Sequence, residues 1–146
     1  MKSYKHLMIA ALTAMLFMGI QETSAKRIQV PKLYIFGFSA SFTDSIVYMT
    51  DVQEIDSAWI DNKTKFLVGR EQYSYQLKNY FANTLNMQGR TCIVIYATKR
   101  EEAEKKYVKM KRLYTIKAKN RYDMRYLSVT DFRFKPVVLS PEEIDQ

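Results

Sequence analysis

The segment 33–42 restricts the fold of this chain more than any other feature, because it is apolar on both faces of a predicted β-strand. Its even-numbered positions hold Tyr, Phe, Phe, Ala and Phe, and its odd-numbered positions begin with Leu, Ile and Gly. A strand that is apolar on both faces belongs in the middle of a sheet. Turn-forming residues at 41–44 and a second alternating run over 45–52 then predict a β-hairpin.

Two amphipathic segments predict helices. Apolar residues recur at helical spacing over 70–86 and over 98–117. Thr98 and Glu101 match the capping box that begins a helix. Between the helices, the run 92–97 is apolar on both faces and predicts a second central strand.

The remaining segments complete the predicted order of elements. The polar segment 54–65 predicts a loop with a short helical turn, and 124–129 predicts a last strand. Helical crossovers favour parallel pairing of the last two strands. We therefore expect an α+β fold in the order ββαβαβ, with a mixed four-stranded sheet (order 2-1-3-4) packed against two helices. Residues 26–139 are expected to form a single domain, followed by a flexible tail over 140–146.

The first 25 residues have the layout of a secretory signal peptide. Lys2 and Lys5 precede an apolar run over 7–20, and a polar stretch then ends at Ala25. The apolar run is shorter than the ~20 residues that a membrane-spanning helix needs, which favours cleavage after Ala25 over a retained anchor. We expect a periplasmic or secreted protein with no transmembrane span after cleavage.

Histidine and cysteine usage limits the chemistry of the mature chain. The only histidine, His6, lies in the predicted signal peptide, and the single cysteine, Cys92, lies in an apolar strand. Mechanisms that need histidine are therefore excluded, and a buried thiol is a poor nucleophile. We identify no catalytic motif, cofactor motif or metal-ligand set, and we predict a protein that is not an enzyme.

One catalytic alternative stays open in the segment 51–61. Paired carboxylates can cleave glycosidic bonds without histidine, so this segment could act on envelope glycans. The candidate carboxylates are Asp51, Glu54, Asp56 and Asp61.

Positive charge is concentrated late in the chain. The net charge is +8, and the segment 99–135 holds thirteen basic and five acidic residues. The candidate binding residues are Lys105, Lys109, Arg112, Arg121 and Arg125. The first three are spaced to share one exposed stripe of the second predicted helix, and the other two follow that helix.

This basic stripe predicts binding to an anionic component of the cell envelope, namely a glycan, a lipid head group at a membrane surface, or an acidic protein. Nucleic acid is not expected as a partner, because it is scarce outside the cytoplasm. The alternative interpretation is a solvated helix whose charges only keep the domain soluble.

Two parts of the sequence resemble known families. The strands 32–38 and 44–48 resemble a group of small exported proteins of unknown function from Gram-negative bacteria, a resemblance that covers most of the mature chain and implies no activity. The helix 98–112, with its Arg-Glu-Glu-Ala-Glu sequence, is similar to a helix of SPOR domains, which bind peptidoglycan glycan strands. The predicted order ββαβαβ departs from the βαββαβ order of that family.

Overall fold

The computed structural model describes residues 26–146, so the predicted signal peptide lies outside the described residues. The strands are β1 (Arg27–Ala40), β2 (Ile46–Thr50), β3 (Gln53–Asp61), β4 (Thr91–Ala97) and β5 (Asp123–Leu127). The helices are α1 (Arg70–Asn79), α2 (Arg100–Tyr114) and the short α3 (Pro141–Ile144). A mixed sheet packed with helices confirms the predicted α+β class. Within the described residues, no helix combines the length and hydropathy needed to span a bilayer.

The predicted hairpin is present, and its second arm is longer than expected. β1 pairs antiparallel with β2 and then with β3, so these two strands form one interrupted arm. The register shifts by one residue between Met49 and Gln53, which marks a β-bulge. At the bulge the Thr50 hydroxyl accepts the backbone N–H of Gly37 at 2.8 Å, so this buried donor stays paired.

The loop predicted over 54–65 is instead mostly strand β3, and this prediction is wrong. Ile55 and Ile60 point into the core, but the consecutive exposed residues Asp56 and Ser57 break the alternation that identifies a strand. Ser57 also has a positive φ of 60°. The pairing with β1 stabilises a strand that the local sequence does not indicate.

The sheet has five strands rather than four, and the predicted order is wrong at one end. β1 lies between the β2–β3 arm and β4, as expected for the first three predicted strands. The last strand, β5, pairs in parallel with β2 and not with β4. β4 is therefore an edge strand, although its sequence is apolar on both faces. One face of β4 packs against α1 and the other against α2. A strand with apolar residues on both faces therefore has both faces covered, but it need not have a neighbouring strand on each side.

Each face of the sheet carries its own apolar cluster. The α1 face includes Leu33, Ile35, Tyr73, Leu77, Phe81, Phe132 and Phe134. The α2 face includes Phe36, Phe38, Val47 and Met49, packed with Ile95, Tyr107, Met110, Tyr114 and Met124. The apolar stripes predicted for the two helices therefore face the sheet.

Details of both helices differ from the sequence predictions. α1 continues into a π-helical turn, Tyr80–Thr84, and Leu85, which helical spacing adds to the apolar stripe of the predicted helix, follows this turn and is exposed. Leu113, which helical spacing predicts to widen the apolar stripe of α2, is also exposed. The predicted capping box is wrong, because α2 begins after Lys99 and has no side-chain cap.

The segment 132–139 has no regular secondary structure and crosses the α1 face of the sheet. Its backbone is hydrogen-bonded by the side chains of Gln53, Tyr73 and Gln76. The tail predicted over 140–146 contains α3, which begins with a capping box at Ser140.

Candidate functional site

The outward face of α2 carries three of the predicted binding residues. The inner side of the helix is fixed on the sheet by the α2-face cluster. On the opposite side Lys105, Lys109 and Arg112 are exposed and line the same surface, together with Lys117 from the following loop. We call these four residues the basic surface. Within the described residues, none of the four forms an ion pair.

Other cations of α2 are used within the fold. Arg100 lies 3.5 Å from the Glu54 carboxylate. Lys106 donates to the backbone carbonyl of Tyr96 at 2.8 Å, at the open edge of β4. The ammonium of Lys111 lies 5.1 Å from the centre of a tyrosine ring of β5. Lys105, Lys109 and Arg112 of the basic surface have no such partner among the described residues.

Positive charge predominates around this surface, which Glu101 and Glu104 also line at the N-terminal end of α2. Residues 105–122 include eight basic side chains and no acidic one. The loop after α2 contributes Lys117, Lys119 and Arg121, all exposed. Sequence reasoning selected Arg121 but missed Lys117 and Lys119, because it treated the helix as ending near Lys117. The uninterrupted basic run was the signal that could have identified them.

Arg125 is separated from the basic surface by the sheet. Successive side chains of a strand point to opposite faces of the sheet. Met124 packs on the α2 face and Leu127 on the α1 face, so Arg125 lies on the α1 face. Its guanidinium donates to the Asp123 carboxylate at 2.7 and 3.0 Å, and this carboxylate raises the pKa of Arg125. The structure therefore does not bring the five predicted residues together at one site.

The carboxylates of the alternative catalytic site are spread along β3 and its bulge. Asp51 and Asp61 lie at opposite ends of this segment, roughly 30 Å apart at the rise of an extended strand. The Lys32 ammonium, 2.6 Å away, lowers the pKa of Glu54, and backbone N–H donors of the following turn lower the pKa of Asp61. A glycosidase acid needs a raised pKa, so neither carboxyl is suited to that role.

The single cysteine is held in a half-buried position on β4. Its thiol lies 3.5 Å from the Ser39 hydroxyl, and burial raises the pKa of Cys92. A raised pKa keeps the thiol protonated and unreactive at neutral pH. Across residues 26–146, no group of three or more His, Cys, Asp or Glu side chains is arranged to hold a metal ion.

Comparisons with protein-family models, with curated proteins and with solved structures give no match to this chain. Evidence on function therefore comes from the geometry and charge of the described residues. The basic surface is the feature that this geometry singles out.

Proposed function

We propose that this chain is an exported binding module whose basic surface holds an anionic component of the cell envelope. The partner class is a glycan, a lipid head group or an acidic protein. Export rests on the predicted signal peptide. The observation that carries the proposal is the division among the α2 cations: Arg100, Lys106 and Lys111 have partners within the fold, whereas Lys105, Lys109 and Arg112 face outward together.

The charge pattern favours binding over simple solubility. A solvated helix usually mixes charges of both signs, which adds stability through pairs one turn apart. The acidic residues of α2 stand in its first half, at Glu101, Glu102 and Glu104, and none follows. A surface with a local excess of positive charge attracts anions over about a Debye length and speeds their association.

Binding without catalysis fits the chemistry of the chain. The mature sequence has no histidine. The lowered pKa values of Glu54 and Asp61 leave both groups ionised near neutral pH, so they lack the proton that a general acid donates.

A triple charge reversal tests the proposal. Lys105→Glu, Lys109→Glu and Arg112→Glu together should abolish co-sedimentation of the protein with isolated bacterial envelopes at low salt. Wild-type binding should weaken as salt rises, because the Debye length falls from ~30 Å at 0.01 M to ~8 Å at 0.15 M. All three positions are exposed, so the fold should survive, and circular dichroism would check this.

The matched control reverses three exposed lysines elsewhere, Lys63, Lys65 and Lys78. This variant has the same net charge as the first and should still bind. Equal binding by wild type and the α2 variant would reject the proposal. An equal loss in both variants would also reject it, because net charge rather than the basic surface would then explain binding.

A further inference from the structure

One end of the molecule exposes apolar side chains that the fold does not bury. Phe42, in the turn between β1 and β2, is 97% exposed, and Ile116, in the loop after α2, is 68% exposed. Both side chains lie at the same end of the molecule. Tyr114 lines a pocket together with Phe42, and Ile116 follows Tyr114 by two residues. We call this end of the molecule the tip. It consists of Phe42, Ile116, Lys117, Lys119 and Arg121.

Both segments of the tip are held in place by contacts within the fold. Arg90 donates to the Ile46 carbonyl at 2.6 Å, beside the turn that contains Phe42. The loop after α2 is folded by successive backbone hydrogen bonds over 112–121. The Tyr122 ring then packs 5.0 Å from Tyr114. The apolar side chains are therefore presented by ordered backbone.

The charges at this end are mostly positive. Lys117, Lys119 and Arg121 follow Ile116 at alternate positions. The two acidic residues of the neighbouring segments are already paired, Asp44 with Arg90 at 3.4 Å and Asp123 with Arg125 at 2.7 Å. The exposed apolar side chains are thus next to cations, and the nearby carboxylates are already engaged in ion pairs.

We propose that the tip docks on an anionic lipid bilayer, with Phe42 and Ile116 entering the interface and the neighbouring cations binding head-group phosphates. The inference rests on the proposed function and selects one of its partner classes. Apolar side chains beside Lys and Arg are the composition of surfaces that lie in a membrane interface.

Other partners suit the tip less well. A polyanionic glycan offers charge but no apolar interior that would remove Phe42 from water. A second copy of the chain would bring the same cations face to face, which like-charge repulsion opposes. A bilayer of anionic lipids supplies both negative charge and an apolar layer.

Vesicle co-sedimentation with matched variants tests the docking. Wild type should bind vesicles of phosphatidylglycerol and phosphatidylethanolamine more tightly than phosphatidylcholine vesicles. The double variant Phe42→Ser, Ile116→Ser should bind the anionic vesicles at least about tenfold more weakly, from the apolar burial that it loses. The control Phe66→Ser changes a side chain that is 68% exposed near the opposite end of β1, and it should bind like wild type.

Each alternative result has a defined meaning. All variants carry the same first 25 residues, so a difference between them reports on the tip. Equal vesicle binding by wild type and the double variant would overturn tip docking. If only the triple charge-reversal variant of α2 lost binding, tip docking would be wrong and the proposed function would remain supported. Wild-type binding to isolated envelopes but not to protein-free anionic vesicles would likewise overturn the lipid partner and keep the proposed function. Failure to bind either would reject both.

Discussion

Arg90 shows how much one side chain contributes to this fold. It is 3% exposed, and it donates to the Ser39 hydroxyl at 2.9 Å and to the Ile46 carbonyl at 2.6 Å. Its guanidinium also lies 5.0 and 5.4 Å from the ring centres of Tyr48 and Phe81. A buried cation persists only when such partners compensate for its lost hydration. Arg90 therefore ties the β1–β2 turn to the start of β4.

Arg90→Met should destabilise the protein. Methionine fills much of the space but leaves the Ile46 carbonyl without the Arg90 donor and the Ser39 hydroxyl with only the weak thiol donor of Cys92, at a cost of about 3 kcal/mol in the free energy of unfolding. Urea denaturation would measure the loss. Arg112→Met, at an exposed position, should change stability by less than ~0.5 kcal/mol, and equal losses in the two variants would contradict this account.

At the scale of elements, the segment 132–139 is fixed by side chains rather than by a partner strand. Gln53 donates to the Phe132 carbonyl and accepts the Phe134 N–H, both at 2.8 Å. Gln76 makes the same two contacts with the backbone of Lys135, at 2.9 and 2.8 Å. The two glutamines differ mainly in burial, since Gln53 is 5% exposed and Gln76 is partly exposed.

This difference allows a matched test of how the segment is held. Gln53→Leu should lower the free energy of unfolding by about 2 kcal/mol, because two buried backbone groups lose their partners. Gln76→Leu should cost less than ~1 kcal/mol, because water reaches the freed groups. Chemical denaturation of both variants would measure the difference. A larger loss for Gln76→Leu would show that burial does not decide the contribution.

The elements differ in how far the sequence predicts them. The buried stripes of α1 and α2 were predictable, because helical periodicity reports one covered face. β3 was not predictable, since Asp56 and Ser57 interrupt its alternation and its identity depends on pairing with β1. The position of β5 was predicted wrongly for the same reason, because its pairing with β2 depends on contacts between segments far apart in the chain.

At the scale of the whole molecule, the two apolar clusters bury tyrosines on both faces of the sheet. Burial raises the pKa values of Tyr73, Tyr80 and Tyr107 above the ordinary value of 10.0. The folded chain therefore holds these protons to a higher pH than the unfolded chain does. Their contribution to stability is complete below pH 10.0 and is lost as the pH rises through the folded-state values.

The free energy of unfolding should accordingly fall as the pH rises above about 10. Denaturation midpoints measured at several alkaline pH values would show this slope. Tyr107→Phe removes one of the three hydroxyls whose pKa is raised. The free energy of unfolding should then fall less steeply with pH. A slope identical to that of wild type would show that Tyr107 does not contribute.

The sequence by itself determined which faces of its strands and helices must be covered, the hairpin of β1 and β2, and the exposed stripe of Lys105, Lys109 and Arg112. Hydrophobic periodicity and charge spacing act within one element, so they can be seen in a short window of sequence. Only the tertiary structure decided that β5 lies beside β2, that Arg125 faces away from α2, and that Phe42 and Ile116 share one end. These outcomes depend on contacts between segments far apart in the chain, and no local pattern specifies them.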